Sequence, residues 1–282
     1  MVKVNVDADG RPLPCELYLD GFEKSNLDYL NKRVHKNWDF LGVIVGPEGD
    51  GKTTKGFQQA LYMDHNLSID NIVFNEKQFL EATESLPPGS SIVWDESDAA
   101  SGHWASNIVQ AIKKRFKRCR KNNYKIFLIT PTFFDFDKYF IIHRANFLVD
   151  IYAEGLTRGY FRFFGPKKMR NLYFKGKQYW NMRAEFPNFL GRFTNYPKGF
   201  PIDMSDGGEY DVKKDLAMKE IEENSVDPKQ AVIDYRRVII PLMRAEFATR
   251  DIKISQRQLG RCLNCSNSTI NIDLKAIKEV DA

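Results

Sequence analysis

One stretch of the sequence differs in character from its surroundings: Leu41-Gly42-Val43-Ile44-Val45-Gly46-Pro47-Glu48-Gly49-Asp50-Gly51-Lys52-Thr53-Thr54. Its first five residues form an apolar run with the length of a buried strand. The run leads directly into Gly-x-x-x-x-Gly-Lys-Thr, the P-loop signature, and residues 54–62 suit a helix. A strand, a glycine loop and a helix in this order are the setting in which the motif binds phosphate, so the sequence predicts a nucleotide site.

The chemistry of phosphate binding explains these residue types. Glycines let the backbone turn its N–H groups toward phosphate oxygens, and the following helix adds the positive end of its dipole. Lys52 supplies a charge for the β- and γ-phosphates, and the Thr53 hydroxyl is placed to ligate Mg²⁺. We expect ATP and Mg²⁺ as cofactors. The residues expected to hold them are Gly46, Pro47, Glu48, Gly49, Asp50, Gly51, Lys52, Thr53 and Thr54.

A second acidic element follows downstream. Residues 91–94 form a short apolar strand that ends in two adjacent carboxylates, Asp95 and Glu96. We expect Asp95 to hold Mg²⁺ through water and Glu96 to polarise the attacking water as a general base. The alternative is an ordinary acidic turn at a strand end. With the P-loop upstream, the pair indicates a Walker B element, and a glutamate after the aspartate favours hydrolysis over a kinase reaction.

The fourth predicted strand, residues 125–130, ends in Thr130-Pro131-Thr132. In open parallel sheets the carboxyl ends of the strands converge on the ligand crevice. Thr130 is therefore the first candidate for a sensor of the γ-phosphate, and Thr132 is the second. The alternative is a plain threonine at the end of a strand.

The densest basic run covers residues 113–121. A solvated helix face is the simplest interpretation. In a second interpretation an arginine completes the phosphate site of a neighbouring subunit, with Arg120 and the more distant Arg144 as candidates. In a third, Lys113 and Lys117 line a channel that faces DNA.

Composition narrows the class of protein. The 282 residues are 43% hydrophobic and 28% charged, which is typical of a globular protein and excludes a disordered chain. The formal net charge of +5 permits a nucleic-acid partner without requiring one. Four scattered cysteines indicate a reducing compartment. No apolar run approaches the about 20 residues of a membrane span, so we expect a cytoplasmic protein with no membrane span.

Apolar strands alternate with helices from the P-loop strand onward. This alternation predicts βαβ units and a mainly parallel sheet covered on both faces, an α/β fold. Residues 158–168 and 172–177 are predicted to be antiparallel strands at the sheet edge, joined by a Gly-Pro turn. Residues 181–202 are predicted to be loop. Residues 25–34 suggest a short helix capped by Ser25.

The same pattern predicts how the chain divides into domains. Residues 1–37 are expected to be an irregular lead-in, because closely spaced prolines interrupt any early element. Residues 38–202 form the predicted P-loop ATPase domain. An acidic, glycine-dotted linker at 203–230 then leads to a small all-α domain at 231–282.

The residues from Ile254 to Lys275 have the form of a helix-turn-helix. Ser255 and Ser266 are placed to cap its two helices, and Asn264 tolerates the left-handed backbone of a turn. Ile270 faces inward, while the opposite face of the second helix is polar and normally enters the major groove. The alternative is a helical hairpin that serves packing or protein contacts. The residues expected to contact DNA are Asn267, Ser268, Asn271 and Lys275.

The order of these motifs resembles a known family. It comprises Gly46–Thr53, Leu86-Pro87-Pro88-Gly89-Ser90, Ile92-Val93-Trp94-Asp95-Glu96, Arg118-Cys119-Arg120-Lys121 and Ile126-Phe127-Leu128-Ile129-Thr130. This order is similar to that of the HerA–FtsK superfamily of DNA-pumping ATPases, within it the zonular-occludens-toxin-like and viral packaging ATPases. The similarity covers residues 38–155.

The resemblance implies a RecA-like core, a homo-oligomeric and often hexameric ring, Mg-ATP hydrolysis between subunits, and double-stranded DNA drawn through the pore. By matching motif, Lys52 and Thr53 would bind nucleotide and Mg²⁺, Asp95 would hold Mg²⁺, and Glu96 would be catalytic. The superfamily usually carries a glutamine sensor where this chain has Thr130-Pro131-Thr132.

These inferences lead to one principal hypothesis, an ATPase of a virus, plasmid or integrated element that moves or packages double-stranded DNA. A replication-initiator-type ATPase that opens an origin is the first alternative. The second is a DNA-binding regulator switched by ATP, with negligible turnover.

Overall fold

The computed structural model describes residues 1–38, 40–95, 115, 119–136, 138–224, 228–249 and 253–280. The chain divides into two compact units, Met1–Met218 and Lys219–Ala282.

The N-terminal residues form regular structure, and the expectation of an irregular lead-in is wrong. Strands β1 (Val2–Val6) and β2 (Pro12–Leu19) make an antiparallel two-stranded sheet, and helix α1 (Gly21–Val34) follows. The prolines of β2 are tolerated because each strand of a two-stranded sheet is an edge strand. The alternation of exposed and buried residues along β2 places Leu17 and Leu19 in the main core.

Helix α1 also begins earlier than the sequence suggested. Asp20 is its cap, since Asp20 Oδ1 accepts hydrogen bonds from the backbone N–H groups of Phe22 at 2.9 Å and Glu23 at 3.3 Å. Ser25 lies inside the helix, where its hydroxyl donates to the Gly21 carbonyl at 3.0 Å.

The centre of the first unit is a seven-stranded sheet with the order β4-β5-β6-β3-β7-β8-β9. Strands β3 to β7 pair in parallel, while β8 and β9 add an antiparallel edge. This confirms the predicted α/β class with a mainly parallel sheet and is consistent with a RecA-like fold. The strands are β3 (Phe40–Val45), β4 (Ile72–Val73), β5 (Ser91–Asp95), β6 (Lys125–Thr130), β7 (Phe147–Glu154), β8 (Thr157–Phe164) and β9 (Phe189–Arg192).

Helices cover both faces of this sheet, as expected for strands that are buried throughout. Phe57 of α2 packs in the core on one face, and Phe79 of α3 and Leu172 of α5 pack in the core on the other. Besides α1, the described helices that begin in this unit are α2 (Lys52–Met63), α3 (Glu76–Ser85), α4 (Lys138–His143), α5 (Pro166–Gly176) and α6 (Glu209–Asn224), with 3₁₀ turns at Ile69–Asn71 and Lys177–Tyr179. The boundary between the two units, after Met218, falls within α6.

The antiparallel edge is built from residues other than the predicted ones. Gly165-Pro166 does not turn a hairpin but starts α5, because proline at the first helical position already has the helical φ. The predicted strand 172–177 therefore lies mostly within a helix, whose buried residues Met169, Leu172 and Tyr173 recur at helical spacing. Strand β9 comes instead from the predicted loop 181–202.

The predicted linker also contains regular structure. Residues 203–208 form a compact turn in which Asp203 Oδ1 accepts from the Ser205 hydroxyl at 2.7 Å. Gly208 lies so close to the turn that a Cβ there would be 2.8 Å from the Asp203 carbonyl oxygen. Helix α6 then starts at Glu209, where a linker was expected.

The second unit is helical in its described part. It contains α7 (Pro228–Thr249), α8 (Gln256–Cys262) and α9 (Asn267–Val280). Ile240, Leu259 and Ile270, one from each helix, form its buried core. Within the described residues, no helix combines the length and apolar character needed to cross a bilayer.

Candidate nucleotide-binding site

The loop between β3 and α2 has the backbone that the motif predicts. Gly46, Gly49 and Gly51 have φ values of 145°, 76° and 96°, a backbone region that residues with a Cβ rarely adopt. Two of them are also closely packed. A Cβ on Gly46 would lie 2.5 Å from the Ile151 carbonyl oxygen, and one on Gly51 would lie 3.1 Å from the Phe193 ring.

Lys52 opens α2 and folds back over this loop. Its Nζ donates to the Pro47 carbonyl oxygen at 2.7 Å. Partial burial lowers the pKa of Lys52, while the nearby carboxylates of Asp95, Glu48 and Asp50 oppose the shift. The lysine therefore places a partly desolvated positive charge directly over the P-loop.

Thr53 and Asp95 meet although 42 positions separate them. Thr53 Oγ1 donates to Asp95 Oδ2 at 2.8 Å. The sheet brings them together, because β6 lies between β3 and β5 and all three strands run in the same direction. Asp95 is 3% exposed, and its burial raises the pKa of the carboxyl, partly offset by hydrogen bonds from Tyr210 and Thr53.

A third residue completes this contact, and the sequence did not predict it. The Tyr210 hydroxyl donates to the same Asp95 Oδ2 at 2.8 Å. Tyr210 is 7% exposed, and its ring lies 5.6 Å from the rings of both Phe57 and Phe74. Burial and the neighbouring carboxylate both raise the pKa of Tyr210, so the hydroxyl keeps its proton and acts as a donor.

These residues suit an Mg-nucleotide. Mg²⁺ prefers oxygen ligands, and Thr53 and Asp95 present a hydroxyl and a carboxylate within hydrogen-bond distance of each other. The glycines with positive φ let the loop turn tightly, and α2 begins directly at the loop with its N-terminal backbone N–H groups.

The sensor candidates lie at the same level of the sheet. Thr130 ends β6 and pairs in register with Val45, the last residue before the P-loop. It is 1% exposed, and its hydroxyl donates to the Thr132 carbonyl oxygen at 3.4 Å. The Thr132 hydroxyl in turn donates to the Asp135 carboxylate. The geometry places Thr130 beside the site, and its sensor role stays a prediction.

The other predicted site residues stay untested. Glu96, Lys113 and Lys117 lie outside the described residues. Arg120 is exposed and Arg144 is half-buried, and their role toward a neighbouring subunit stays a prediction.

A cavity of about 440 Å³ adjoins the P-loop at Gly46 and Pro47. Its wall includes Asp150 of β7, which accepts from the Arg162 guanidinium at 2.5 Å. Burial raises the pKa of Asp150 to about 6 and outweighs the opposing effect of Arg162. Arg162 also lies 4.3 Å from the centre of the Tyr152 ring, a cation–π contact that holds the guanidinium in place.

A buried ion pair anchors α2 below the P-loop. Lys55 Nζ lies 2.5 Å from Glu23 Oε2 of α1, and both side chains are fully buried. Gln59 Nε2 donates to the other carboxylate oxygen at 2.6 Å. The Lys55 ammonium also lies 4.4 Å from the centre of the Phe161 ring. Burial lowers the pKa of Lys55, and Glu23 opposes the shift.

The sequence contained no short-range signal for Tyr210 or for the pairs Glu23–Lys55 and Asp150–Arg162. Glu23–Lys55 and Tyr210–Asp95 join elements that are distant in the sequence, and Asp150–Arg162 is a cross-strand pair whose register in the β7–β8 hairpin the sequence did not reveal. Tyr210 is the extreme case, because 115 positions separate it from Asp95.

The second unit carries the residues predicted to contact DNA. Ser255 caps α8 and the Ser266 hydroxyl accepts from the Thr269 N–H at 3.1 Å, as predicted. Asn264 in the turn between α8 and α9 has a φ of 50°. Asp273 on the inner face of α9 is 2% exposed at the side chain and pairs with Arg236 at 2.8 Å. The candidates Asn267, Ser268, Asn271 and Lys275 are all exposed on α9. Their contact with DNA stays a prediction.

Comparison with known proteins gives little beyond this geometry. No protein-family model matches the chain. No curated protein matches it. Among solved structures, the chain is similar to the N-terminal domain of zonular occludens toxin from Neisseria meningitidis, with 15% identity and a TM-score of 0.36. That similarity covers 57% of this chain and 97% of the other. A likeness at this level establishes neither a shared family nor a shared function.

Proposed function

We propose that this protein is an Mg²⁺-dependent ATPase. The single observation that carries the proposal is the 2.8 Å hydrogen bond from Thr53 of the P-loop helix to the buried Asp95. A glycine loop alone is compatible with many turns. A P-loop threonine joined to the acidic end of a parallel strand of the same sheet, one strand removed from the P-loop strand, is an arrangement that suits Mg-nucleotide chemistry.

Each residue of the site has a separate role in this proposal. Lys52 neutralises charge on the β- and γ-phosphates, and the backbone N–H groups of residues 48–53 bind the phosphate oxygens. Thr53 and Asp95 hold Mg²⁺, which when bound offsets negative charge on the phosphates. Glu96 follows Asp95 directly in the chain, and in this proposal it accepts a proton from the attacking water.

Phosphate release from ATP tests the proposal. We expect Lys52→Ala and Glu96→Gln each to lower turnover by about 100-fold or more. Lys198→Ala, which removes an exposed lysine elsewhere, is the matched control and should leave turnover unchanged. Binding of Mg-ATP with no turnover in the wild-type protein would instead indicate a switched regulator. No binding of Mg-nucleotide at all would refute the nucleotide site.

We further propose that the ATPase acts as a motor on double-stranded DNA. Support comes from the exposed polar residues of α9 and from the net charge of +5. Duplex DNA should raise ATP turnover, and the effect should weaken as salt increases because counterions are released on binding.

The polar face of α9 offers a direct test of this second step. We expect Lys275→Ala to weaken duplex binding and to reduce the slope of log affinity against log salt by about 1. Lys198→Ala is again the control. ATP turnover that is indifferent to duplex DNA at low and high salt would count against the motor.

The proposed assembly is a ring in which an arginine of one subunit reaches the nucleotide of the next. Arg120 is the first candidate because it is exposed, and Arg144 is the second. Mixing inactive Arg120→Ala protein with inactive Lys52→Ala protein should restore part of the turnover, since some mixed interfaces hold both intact residues. Failure of both this mixture and the equivalent Arg144→Ala mixture would contradict the shared site.

A further inference from the structure

The Asp95 carboxylate is held unevenly. Thr53 and Tyr210 both donate to Oδ2, each at 2.8 Å. Neither of these bonds reaches Oδ1. Two hydrogen bonds to one oxygen fix the orientation of the carboxylate, and among the described residues no side-chain hydrogen bond reaches the second oxygen, which is placed to take another ligand.

Tyr210 is itself held firmly. Its backbone N–H donates to the Asp203 carbonyl oxygen at 3.3 Å, which ties the start of α6 to the turn at 203–208. Three residues further along α6, Lys213 Nζ donates to the Ile69 carbonyl oxygen at 2.8 Å. With Phe57 and Phe74 on either side of its ring, the hydroxyl has little freedom to leave Asp95.

We infer that Tyr210 is a positioning residue for the metal, which fixes Asp95 so that Oδ1 is presented to Mg²⁺. This inference rests on the proposed Mg-nucleotide site. Tyr210 touches neither nucleotide nor metal in this role and acts through Asp95. Outer partners of metal ligands contribute in this way because they set the orientation of the ligand before the metal arrives.

Packing alone does not account for a tyrosine here. A phenylalanine would fill the same space between Phe57 and Phe74, whereas a buried hydroxyl is costly unless it is hydrogen-bonded. The hydroxyl is useful at this position because it is a neutral donor. It orients the carboxylate without neutralising the negative charge that a cation requires.

Tyr210→Phe tests the inference, since it removes the hydroxyl and keeps the ring. The assay is binding of a fluorescent ATP analogue, titrated with Mg²⁺ and repeated in EDTA. We expect the Mg²⁺ concentration for half-maximal binding to rise by about 10- to 100-fold, with nucleotide affinity in EDTA unchanged. A purely structural role would lower the melting temperature without this selective effect on Mg²⁺.

Tyr62→Phe is the matched control. Tyr62 also donates to a carboxylate, that of Asp28. It lies near the C-terminal end of α2, whereas the P-loop precedes the N-terminal end. Its loss should leave the Mg²⁺ titration unchanged. A double-mutant cycle adds a second measurement. In the Asp95→Asn background, Tyr210→Phe should have no further effect on the Mg²⁺ dependence.

The outcomes separate this inference from the proposed function. If the wild-type protein binds no Mg-nucleotide, the proposed function fails. If it does bind and Tyr210→Phe titrates with Mg²⁺ like the wild type, the positioning role is overturned while the site stands. An equal effect of Tyr210→Phe with and without Asp95 would overturn the claim that Tyr210 acts through that carboxylate.

Discussion

The buried Glu23–Lys55 pair makes a strong prediction about stability. In the wild type, Lys55 Nζ lies 2.5 Å from Glu23 Oε2. Glu23→Ala would leave the Lys55 ammonium fully buried without this oxygen, and it would also remove the acceptor of Gln59. The remaining Phe161 ring offers only a cation–π contact. The variant must then either keep an unpaired buried charge or deprotonate the lysine.

The magnitude follows from the burial. Removing one partner of a buried pair costs about 3–5 kcal/mol, because the other charge stays in a low-dielectric site. The Lys3–Glu16 pair is the matched control, since its side chains are 48% and 56% exposed. Glu16→Ala should cost about 0–1 kcal/mol, as exposed pairs do. The contrast between the two variants measures the effect of burial on an otherwise similar pair.

Urea unfolding followed by circular dichroism is the assay. We expect a large fall in the midpoint for Glu23→Ala at an unchanged slope, since the surface exposed on unfolding stays the same. The double variant Glu23→Leu with Lys55→Met should recover most of the loss, because apolar residues of similar size replace the buried pair without leaving a charge.

The pH dependence gives an independent check with a definite sign. Without Glu23, the largest opposition to the effect of burial is lost and only the smaller effect of Asp20 is left, so the native pKa of Lys55 falls further below its ordinary value. Between the two pKa values the unfolded chain binds one more proton than the native chain, so the free energy of unfolding rises with pH. The deficit of Glu23→Ala should therefore shrink as pH rises from 7 toward 10. A deficit no larger than that of Glu16→Ala, or one that grows with pH, would refute the reasoning.

Three further predictions concern the site itself. Gly51→Ala should lower stability by about 1–3 kcal/mol in thermal unfolding and weaken nucleotide binding, since φ is 96° and the added Cβ would lie 3.1 Å from the Phe193 ring. Gly10→Ala is the control and should cost less, because φ is 83° but the space around the added Cβ is open. Burial raises the pKa of Asp150 to about 6, so between about pH 4 and 6 the native state holds a proton that the unfolded state has released. The free energy of unfolding of the wild type, relative to that of Asp150→Asn, should therefore fall from about pH 4 to 6 and stay level above pH 6. Asp95→Asn should weaken Mg²⁺-dependent binding without abolishing it, because Thr53 still offers a ligand, and should raise the unligated melting temperature, because it removes a desolvated charge and keeps an oxygen acceptor.

Much of the site could be predicted because its signals are local. The P-loop, its preceding strand and its helix are one continuous segment, and strand β6 coincides with the predicted residues 125–130. The pairing of Thr53 with Asp95 also followed, since parallel strands present their carboxyl ends at one edge of a sheet. In the second unit, the helix caps Ser255 and Ser266 could be predicted because a cap depends only on residues about three positions apart in the sequence.

The errors arose where tertiary packing overrode a local pattern. The prolines of β2 suggested a break, but the strand lies in a two-stranded sheet and needs few backbone donors. The Gly-Pro step at 165–166 fits both a turn and the start of a helix. The deciding information was the face formed by Met169, Leu172 and Tyr173, which packs on the sheet.

The hydrogen-bond partners of the buried carboxylates Glu23 and Asp150 differ from those of Asp95, the proposed metal ligand. Glu23 and Asp150 are each paired with a cationic side chain at 2.5 Å, which neutralises their charge within the fold. Asp95 is as deeply buried, yet in the described part of the chain its hydrogen bonds come from two neutral hydroxyls and no ion pair reaches it. A buried carboxylate whose described hydrogen bonds come from neutral hydroxyls is expensive for the folded state, and the charges of Lys52 and Lys214 offset the raised pKa of Asp95 only in part. This cost falls at the carboxyl end of β5, and a bound cation would relieve it. In the proposed function, this partly compensated burial is the reason to expect Mg²⁺ at Asp95.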